Sequence, residues 1–373
     1  MKQKTYGHVF AAVVFGISCA ANADDVVVKV GHVAPLSGQI AHLGKDSENG
    51  ARLAIEQINE RGLVVGGHKV TLQLDPKDDS GDPGTAAHVA QELVNDKVVA
   101  VVGHLNSGAS IAASEIYDRA GIVEISPATT DPEYTQRGLK TTYRLVETDA
   151  QQGPALATYA AEKLHVRSVA VIDDKTAYSI DLAGQFQSAA PAAHLKVVGR
   201  YSVPKEMVDF RATLTKIDQQ NPDAIMFAGE DATAGPLVRQ AQQMNLRARI
   251  LAGDGVCTTD MGALAGNASG NVVCSQAGRR IDGDFSASYA RRFQVPVQGY
   301  APYAYDAVFI IVDAMKRANS TDPAKILAMV PSTKYAGVTG NTSFKANGDL
   351  QHGEISFYTY KGTQQIFLDS VPM

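Results

Sequence analysis

The sequence predicts an α/β protein built from two similar units, each with a parallel sheet covered by helices. Strand-like and helix-like segments alternate along most of the chain, which is the order that βαβ units require. The apolar run at 98–102 suits a strand buried on both faces, as parallel strands are. The alternation starts again after 150–154, and 373 residues exceed what a single core serves. We therefore expect two lobes rather than one large sheet.

The first unit begins with a strand at 26–33 and a helix at 49–61, which Gly62 ends. In that helix four apolar residues recur at the spacing that lines one face. They are Ala51, Ala54, Ile55 and Ile58. The other elements of this unit are strand 70–74, helix 85–95, strand 98–102, helix 110–120 and strand 123–126.

The second unit repeats the alternation, and a different kind of segment follows it. Its predicted elements are helix 156–164, strand 169–172, a helix near 181–188, strand 197–201, helix 210–219, strand 224–228, helix 235–244 and strand 250–252. Beyond them, helices at 303–318 and 323–329 precede the segment 343–360. There Asn347-Gly348 is typical of a hairpin turn. No low-complexity segment or long linker separates the two units.

The segment 1–23 has the composition of a secretory signal peptide. Lys2 and Lys4 precede an apolar run at 9–17, and Ala21-Asn22-Ala23 forms a small-residue cleavage site. The apolar run is shorter than the roughly 20 residues that a bilayer span needs. We therefore expect the leader to be removed and the mature chain to be secreted into the periplasm without inserting into the membrane.

The balance of charges excludes some classes of partner. Loss of the leader removes two lysines and no acid, so the formal net charge moves from −5 to −7. A surface with that excess of acids does not attract nucleic acid or an anionic membrane. We expect neither of them as a partner.

The three cysteines bear on the compartment and on stability. Cys19 would leave with the leader, and it is a poor lipidation site because Gly16 stands where a lipoprotein signal has a large aliphatic residue. Cys257 and Cys274 would remain in a compartment that permits disulfides. The pair either forms a bridge, which would stabilise the fold by roughly 3 kcal/mol, or stays as two buried thiols.

Small hydroxyl residues gather where three strands of the first unit end. The segments 34–38, 103–108 and 126–130 follow those strands, and open parallel sheets bind ligands beyond the carboxyl ends of their strands. Ser107 and Thr130 can donate hydroxyl protons to a carboxylate while backbone amides donate others. The same residues could instead serve only as helix caps, and spacing alone does not decide between these roles.

Acids follow two strands of the second unit. Glu230 comes after the strand at 224–228, and Asp254 after the strand at 250–252. A carboxylate in this position could bind an ammonium group, although Asp-Gly is also an ordinary turn pair. Tyr178, just past an earlier strand, could wall a ligand or pack as an ordinary loop tyrosine.

Motifs for catalysis and for cofactors are missing from the sequence. It contains no G-x-S-x-G elbow, no G-x-x-x-x-G-K-[ST] phosphate loop, no G-x-G-x-x-G after the first strand and no H-E-x-x-H. Five histidines occur singly, which indicates surface or packed roles rather than a metal site. They are His32, His42, His68, His88 and His104. We expect neither an enzyme nor a cofactor.

Five short motifs, in order along the chain, resemble the periplasmic leucine/isoleucine/valine-binding proteins. They are GHVAPLSG at 31–38, AIEQIN at 54–59, DDSGDP at 78–83, GHLNS at 103–107 and SPATTDP at 126–132. The resemblance runs over nearly the whole mature chain. It implies a monomeric transport protein that binds an amino acid in a cleft, closes on it, and docks on the permease of an ATP-driven (ABC) transporter.

The resemblance also implies the type I periplasmic binding protein fold. In that fold two doubly wound parallel-sheet lobes are joined by three crossovers, which would fall near Glu147, Gly278 and Thr339. The N-terminal lobe would comprise 24–146 and 279–338, and the C-terminal lobe 147–278 and 339–373.

Carried over position by position, the resemblance implies a ligand site between the lobes. Ser107, Ala128 and Thr130 match positions that hold the α-carboxylate and amino group of the amino acid. Asp254 matches an acid that pairs with the ammonium, and Tyr178 matches an aromatic residue that lines the cleft. The remaining candidates for the cleft are Leu43, Asn106, Thr129, Glu230 and, as a second aromatic, Tyr303.

Departures from the family pattern bear on the ligand. Leu43 stands where the family often has an aromatic residue, and Glu230 stands where the best-known members have tyrosine. A further acid suits a ligand with a second cationic or donor group better than it suits leucine. Gly81 and Asn106 occupy the aligned positions of an N-lobe disulfide, which we expect to be absent. A branched-chain amino acid is the first expectation for the ligand.

Two other functions stay open at the level of sequence. One is a ligand-sensing receptor of the same fold that recognises amides, urea or an aromatic acid. The other is an α/β enzyme, for which no motif places a nucleophile or cofactor. Permease and ATPase genes beside this gene would favour transport, whereas turnover of a substrate by the purified protein would favour an enzyme.

Overall fold

The computed structural model describes residues 1–3, 25–281 and 283–373. It contains two main sheets covered by helices and a small two-stranded sheet. Apart from its first three residues, the predicted leader lies outside the described residues, together with Cys19 and the predicted cleavage site. Within the described ranges, no helix is both long enough and apolar enough to cross a bilayer.

The first sheet and four of the helices come from the first 144 residues of the chain. Its strands are β1 (Val26–Ala34), β2 (Leu63–Val65), β3 (His68–Asp78), β4 (Ala100–Val102), β5 (Val123–Ser126) and β6 (Thr142–Arg144). The helices are α1 (Ala41–Arg61), α2 (Pro83–Asn95), α3 (Ser107–Ala120) and α4 (Glu133–Gln136). The strand order is β2-β3-β1-β4-β5-β6. All neighbours are parallel except β2 and β3.

The second sheet uses the middle of the chain and its last two strands. The middle supplies β7 (Ser168–Asp173), β8 (Lys196–Ser202), β9 (Ala224–Ala228), β10 (Arg249–Ala252), β11 (Val272–Gln276), α5 (Asp149–Glu162), α6 (Ala177–Ala189), α7 (Arg211–Asp218), α8 (Asp231–Gln243) and α9 (Met261–Ala265). The rest of the chain comprises α10 (Asp284–Phe293), α11 (Ala301–Ala318), α12 (Pro323–Met329), β12 (Tyr335–Gly337), β13 (Gly340–Thr342), β14 (Glu354–Lys361) and β15 (Gln364–Pro372), of which β14 and β15 join the second sheet. The strand order is β15-β14-β11-β10-β9-β7-β8, and β14 and β15 are antiparallel to their neighbours.

The chain passes between the two sheets three times. It leaves the first sheet after β6, and after β11 it returns to pack α10 and α11 against α1. It then rejoins the second sheet at β14. The predicted fold class, two doubly wound lobes with three crossovers, is therefore confirmed. The lobe boundaries at 146/147, 278/279 and 338/339 stay predictions.

Burial on both faces explains why these strands form. Every residue of β4, β5 and β9 is buried, as expected for strands with helices on both sides. The helix that returns to the first lobe is held closely. A Cβ atom at Gly50 of α1 would lie 2.1 Å from the backbone oxygen of Ala301 of α11. Only a glycine at this position allows the two helices to approach so closely.

Two helices begin earlier than the sequence predicts. The predicted helix at 49–61 begins at Ala41, because its early residues Asp46 and Glu48 are buried as polar groups and break the apolar spacing. The segment 150–154 lies inside α5 rather than before a helix. There the Thr148 side chain and Gln151 form a capping box that starts the helix at Asp149.

Candidate functional site

The candidate site forms where the strand order reverses in each sheet. In the first sheet β1 lies between β3 and β4, and in the second sheet β7 lies between β8 and β9. Connections from such neighbouring strands diverge to opposite faces and leave a crevice beyond the strand ends. The loops after β4 and β5 of one lobe meet the loops after β7, β9 and β10 of the other at a shared cavity.

This cavity is small and shared by both lobes. It offers about 10 Å³, roughly the space of one water molecule. Its wall consists of Leu105, Asn106, Ser107, Ala128, Tyr178, Glu230, Asp254, Gly255 and Tyr300. Most of the predicted site residues therefore meet at one place. The candidates outside the wall are Leu43, Thr129, Thr130 and Tyr303.

The N-terminal lobe gives the cavity an end that suits an anion. Ser107 is the first residue of α3, where backbone N–H groups lack helical partners. The Ser107 Oγ accepts the Asp131 N–H at 3.3 Å and keeps its own proton to donate. Asn106, at the N-cap, makes no side-chain cap and reaches across the cleft instead.

The hydroxyl of Thr129 shapes the loop after β5 instead of lining the cavity. Its Oγ1 lies 2.5 Å from Ser110 Oγ and 2.7 Å from Ser126 Oγ. Thr130 accepts the Asp149 N–H on its backbone oxygen at 2.9 Å and is buried behind the wall. Ala128 of this loop lines the cavity, whereas Thr129 and Thr130 do not. The Thr130 hydroxyl is buried without a hydrogen-bond partner. The roles of both threonines in ligand binding stay predictions.

Asp254 is the most deeply placed acid of the wall. Its Oδ1 accepts the Tyr178 hydroxyl at 3.0 Å and its Oδ2 accepts the Tyr300 hydroxyl at 3.2 Å. The Tyr178 oxygen in turn accepts the Gly255 N–H at 3.2 Å. Burial raises the pKa of Asp254 to about 6, and these hydrogen bonds offset only part of that effect.

Glu230 lies on the same wall, at the end of the neighbouring strand. Its Oε1 accepts the Asn106 amide at 3.2 Å, a contact between the two lobes. Its Oε2 is buried without a hydrogen-bond partner. Burial raises the pKa of Glu230 well above its ordinary value, and the charges of three nearby acids add to that effect. Those acids are Asp174, Asp254 and Asp231.

A histidine joins the two lobes beside the cavity. His42 of α1 lies with its Nε2 2.9 Å from Asp231 Oδ2 at the start of α8, and Thr258 donates to the same oxygen at 2.6 Å. Burial lowers the pKa of His42, but the hydrogen bond and charge of Asp231 outweigh it, so the pKa is raised above 6.5. Sequence patterns could not predict this contact, because Asp231 lies 189 residues away from His42 in the chain.

The aromatic residue that borders the cavity at the start of α11 lies three residues before the predicted Tyr303. Tyr300, and not Tyr303, lines the cavity, because Asp46 of α1 accepts the backbone N–H groups of Tyr300 at 2.9 Å and Ala301 at 2.8 Å. Tyr303 is buried. Together with Gln276 it lines a different, open cavity of about 620 Å³. Pro302 marks a helix start, which could have placed Tyr300 in the preceding loop.

Leu43 also lies behind the wall. It is fully buried and packs in a cluster with Ala34, Leu105, Ala128 and Tyr300. Three members of this cluster line the cavity themselves. A larger aromatic side chain at position 43 would compete for their space, so leucine here supports the wall and does not contact the cavity.

A disulfide anchors the loop that carries Asp254. Cys257 follows β10 and Cys274 lies in β11, with a Cα–Cα distance of 5.4 Å. The Cys257 N–H donates to the Asp254 backbone oxygen at 2.9 Å, and Gln365 donates to the Cys257 oxygen at 2.9 Å. The bridge therefore fixes the turn that directs the carboxylate into the cavity.

The buried histidines have structural partners. His104 lies 2.7 Å from Asp79 through Nδ1 and 3.1 Å from the Tyr117 hydroxyl through Nε2, and His32 lies 3.0 Å from Ser47. Within the described part of the chain, no group of three or more histidine, cysteine or acidic side chains is arranged to hold a metal ion.

The two lobes with a closed polar cleft define the class of two-lobed solute-binding proteins. Residues 27–364 match the family described as "Periplasmic binding protein". An "amino acid binding protein" of Pseudomonas aeruginosa is 34% identical over 353 residues, which cover 93% of each chain. The chain therefore belongs to the periplasmic binding protein family, and the resemblance found in the motifs is confirmed.

Two further relatives have more specific descriptions. A second Pseudomonas aeruginosa protein, the leucine-, isoleucine-, valine-, threonine- and alanine-binding protein, is 31% identical, with 94% of this chain and 95% of the relative covered. The crystal structure of the branched-chain amino acid transporter substrate-binding protein LivJ of Streptococcus pneumoniae, in complex with isoleucine, superposes with a TM-score of 0.83 at 27% identity. The superposition covers 93% of this chain and 99% of LivJ.

Proposed function

We propose that this protein is the periplasmic solute-binding component of an ABC transporter and that it captures an amino acid by closing its two lobes. The observation that carries the proposal is the shared cavity, where N–H and hydroxyl donors of one lobe face carboxylates of the other. The names of the relatives, which include leucine, threonine and alanine binding, support an amino acid as ligand. A branched-chain amino acid is the first candidate.

The chemistry of the wall suits a zwitterion. The α-carboxylate would accept hydrogen bonds from Ser107 and from the first N–H groups of α3, and the ammonium would pair with Asp254. Charge-assisted bonds contribute about 1.5–3 kcal/mol each, so a few of them reach the roughly 8 kcal/mol of a micromolar site. Because each lobe holds one end of the ligand, only the closed form makes all the bonds.

The role is binding and transfer without catalysis. The wall holds no nucleophile paired with a base: Ser107 bonds to a backbone N–H, and Asp254 bonds to tyrosine hydroxyls. LivJ is the substrate-binding protein of an amino acid transporter, which supports a permease as the partner that the closed monomer would meet. The predicted signal peptide at 1–23 and the family support a periplasmic location.

Calorimetric titration of Asp254→Ala tests the proposal. First a thermal-shift screen of amino acids, small amides and aromatic acids identifies a ligand; at 100 times its dissociation constant a ligand stabilises by about 2.7 kcal/mol. Asp254→Ala is then expected to weaken binding about tenfold or more, because the ammonium loses its partner. Asp218→Ala, which removes an exposed carboxylate from α7, is the control with unchanged affinity. Unchanged affinity in Asp254→Ala would remove Asp254 from the site.

A further inference from the structure

The cavity wall carries two carboxyls and, among the described residues that line it, no cation. Asp254 accepts two tyrosine hydroxyls and Glu230 accepts the Asn106 amide, so the partners given by the structure are neutral. A simple zwitterion brings a single ammonium, whose one positive charge compensates one ionised carboxylate. The other carboxyl would stay buried either as an uncompensated charge or as a protonated acid with an unpaired oxygen, and both are unfavourable.

Glu230 is the carboxyl with unused bonding capacity. Its Oε2 is buried and has no hydrogen-bond partner. Gly255 leaves open the space beside this atom, since a Cβ at position 255 would lie 2.6 Å from it. The charged groups that act on Glu230 are all acids, namely Asp174, Asp231 and Asp254. Nothing among these neighbours of the described chain compensates its charge.

The two acids lie at the ends of neighbouring strands and border one cavity. Glu230 follows β9 and Asp254 follows β10, and these strands are parallel neighbours in the second sheet. Both carboxyls border the same small cavity, opposite the start of α3. The apolar part of the wall consists of Leu105, Ala128 and the rings of Tyr178 and Tyr300. A branched aliphatic side chain could pack against this part, but it would leave Glu230 Oε2 without a donor.

We propose that the ligand is an amino acid whose side chain ends in a cationic nitrogen and that Glu230 binds this nitrogen. The proposal rests on the proposed function, in which Ser107 and α3 hold the α-carboxylate and Asp254 holds the α-ammonium. A ligand with two cationic nitrogens and one carboxylate compensates both acids of the wall. It also gives Glu230 Oε2 the donor that the chain does not supply.

Matched pairs of ligands test the assignment. Calorimetry compares 2,4-diaminobutyrate with 2-aminobutyrate, ornithine with norvaline, and lysine with norleucine, because the members of each pair share a carbon chain and differ by the terminal ammonium. Leucine and glutamine are titrated beside them. The variant Glu230→Gln retains an oxygen for the Asn106 amide and removes the charge. Glu60→Gln makes the same change at an exposed position of α1 and serves as control.

We expect at least one diamino acid to bind about tenfold or more tightly than its neutral partner, leucine and glutamine. Glu230→Gln is expected to abolish that preference, and Glu60→Gln to preserve it. Tighter binding of leucine, norvaline or glutamine than of every diamino acid, with no effect of Glu230→Gln, overturns the cationic assignment and leaves the proposed function intact. If no amino acid of either kind binds, the proposed function fails as well.

Discussion

Asp254 combines a stability cost with a proposed binding role. Its pKa is raised to about 6 from an ordinary 3.8, so the folded protein holds the proton more tightly than the unfolded chain does. The ionised carboxylate therefore destabilises the fold above pH 6. That cost shrinks as the pH falls through 6 and disappears below the ordinary pKa. At about 1.36 kcal/mol per pKa unit, it amounts to about 3 kcal/mol at most.

The variant Asp254→Asn should therefore make the unliganded protein more stable while it weakens ligand binding. We expect its free energy of unfolding at pH 8 to exceed that of the wild type by up to about 3 kcal/mol. At pH 4 the difference should be close to zero, because the wild-type carboxyl is then protonated. Urea unfolding at the two pH values measures both. Equal stability at pH 8 would show that burial does not raise the pKa of Asp254 in the folded protein.

The site residues that could be predicted are those that directly follow a strand, because the end of a parallel strand determines where the next residues lie. Ser107 and Asp254 follow strands of parallel sheets, so their place at the cleft follows from topology. Tyr300 was missed because its position depends on Asp46, a buried acid far away in the sequence that accepts four backbone N–H groups. The pairing of His42 with Asp231 was missed for the same reason, since it joins positions 189 residues apart.

At the scale of elements, the close approach of α1 and α11 joins the two distant parts of the first lobe. A side chain at Gly50 would meet the Ala301 backbone oxygen at 2.1 Å. We expect Gly50→Ala to lower the free energy of unfolding by about 1–3 kcal/mol, because the backbone must shift. Gly184→Ala is the matched control: it also lies in a helix, α6, with no atom within 4 Å of the new Cβ.

The control should be neutral or more stable by up to about 1 kcal/mol, since alanine favours helix formation over glycine. Chemical unfolding of the two variants measures the difference. If Gly50→Ala proved as stable as Gly184→Ala, α1 and α11 would be farther apart than described here.

Elements that are buried on both faces were the easiest to predict. The run at 98–102 contains β4, and the alternation of apolar strands and helices gave both lobes. The first turns of α1 were not predicted, because polar residues occupy their buried positions. Asp46 is held there by hydrogen bonds and Glu48 by ion pairs, so no pattern of apolar residues marks these turns. Hydrophobic periodicity detects contacts made by apolar surface and not those made by polar groups.

For the whole molecule, we expect closure on the ligand to weaken at both acidic and alkaline pH. Asp254 has to be ionised to bind an ammonium, so affinity falls as the pH drops below about 6. Protonated His42 forms an ion pair with Asp231 across the cleft, whereas neutral His42 can only donate a weaker hydrogen bond to it. The pKa of His42 is raised above 6.5, so the ion pair is lost as the pH rises through the raised value. We therefore expect affinity to be highest near neutral pH.

Titration of the ligand between pH 4.5 and 9 measures the fall in affinity on the acid side (the acid limb) and on the alkaline side (the alkaline limb). On the acid limb the affinity should fall by up to about tenfold per pH unit. In His42→Gln the alkaline limb should disappear while the acid limb persists, because glutamine has no charge to lose. An unchanged alkaline limb in His42→Gln would mean that the His42–Asp231 contact does not contribute to closure.

A crystal structure of the protein with an amino acid bound shows whether both lobes hold the ligand. We predict that the ligand lies between the lobes, with its carboxylate within hydrogen-bonding distance of Ser107 and its α-ammonium within the same distance of Asp254. A ligand bound to one lobe alone, or an Asp254 carboxylate turned away from it, would contradict the account.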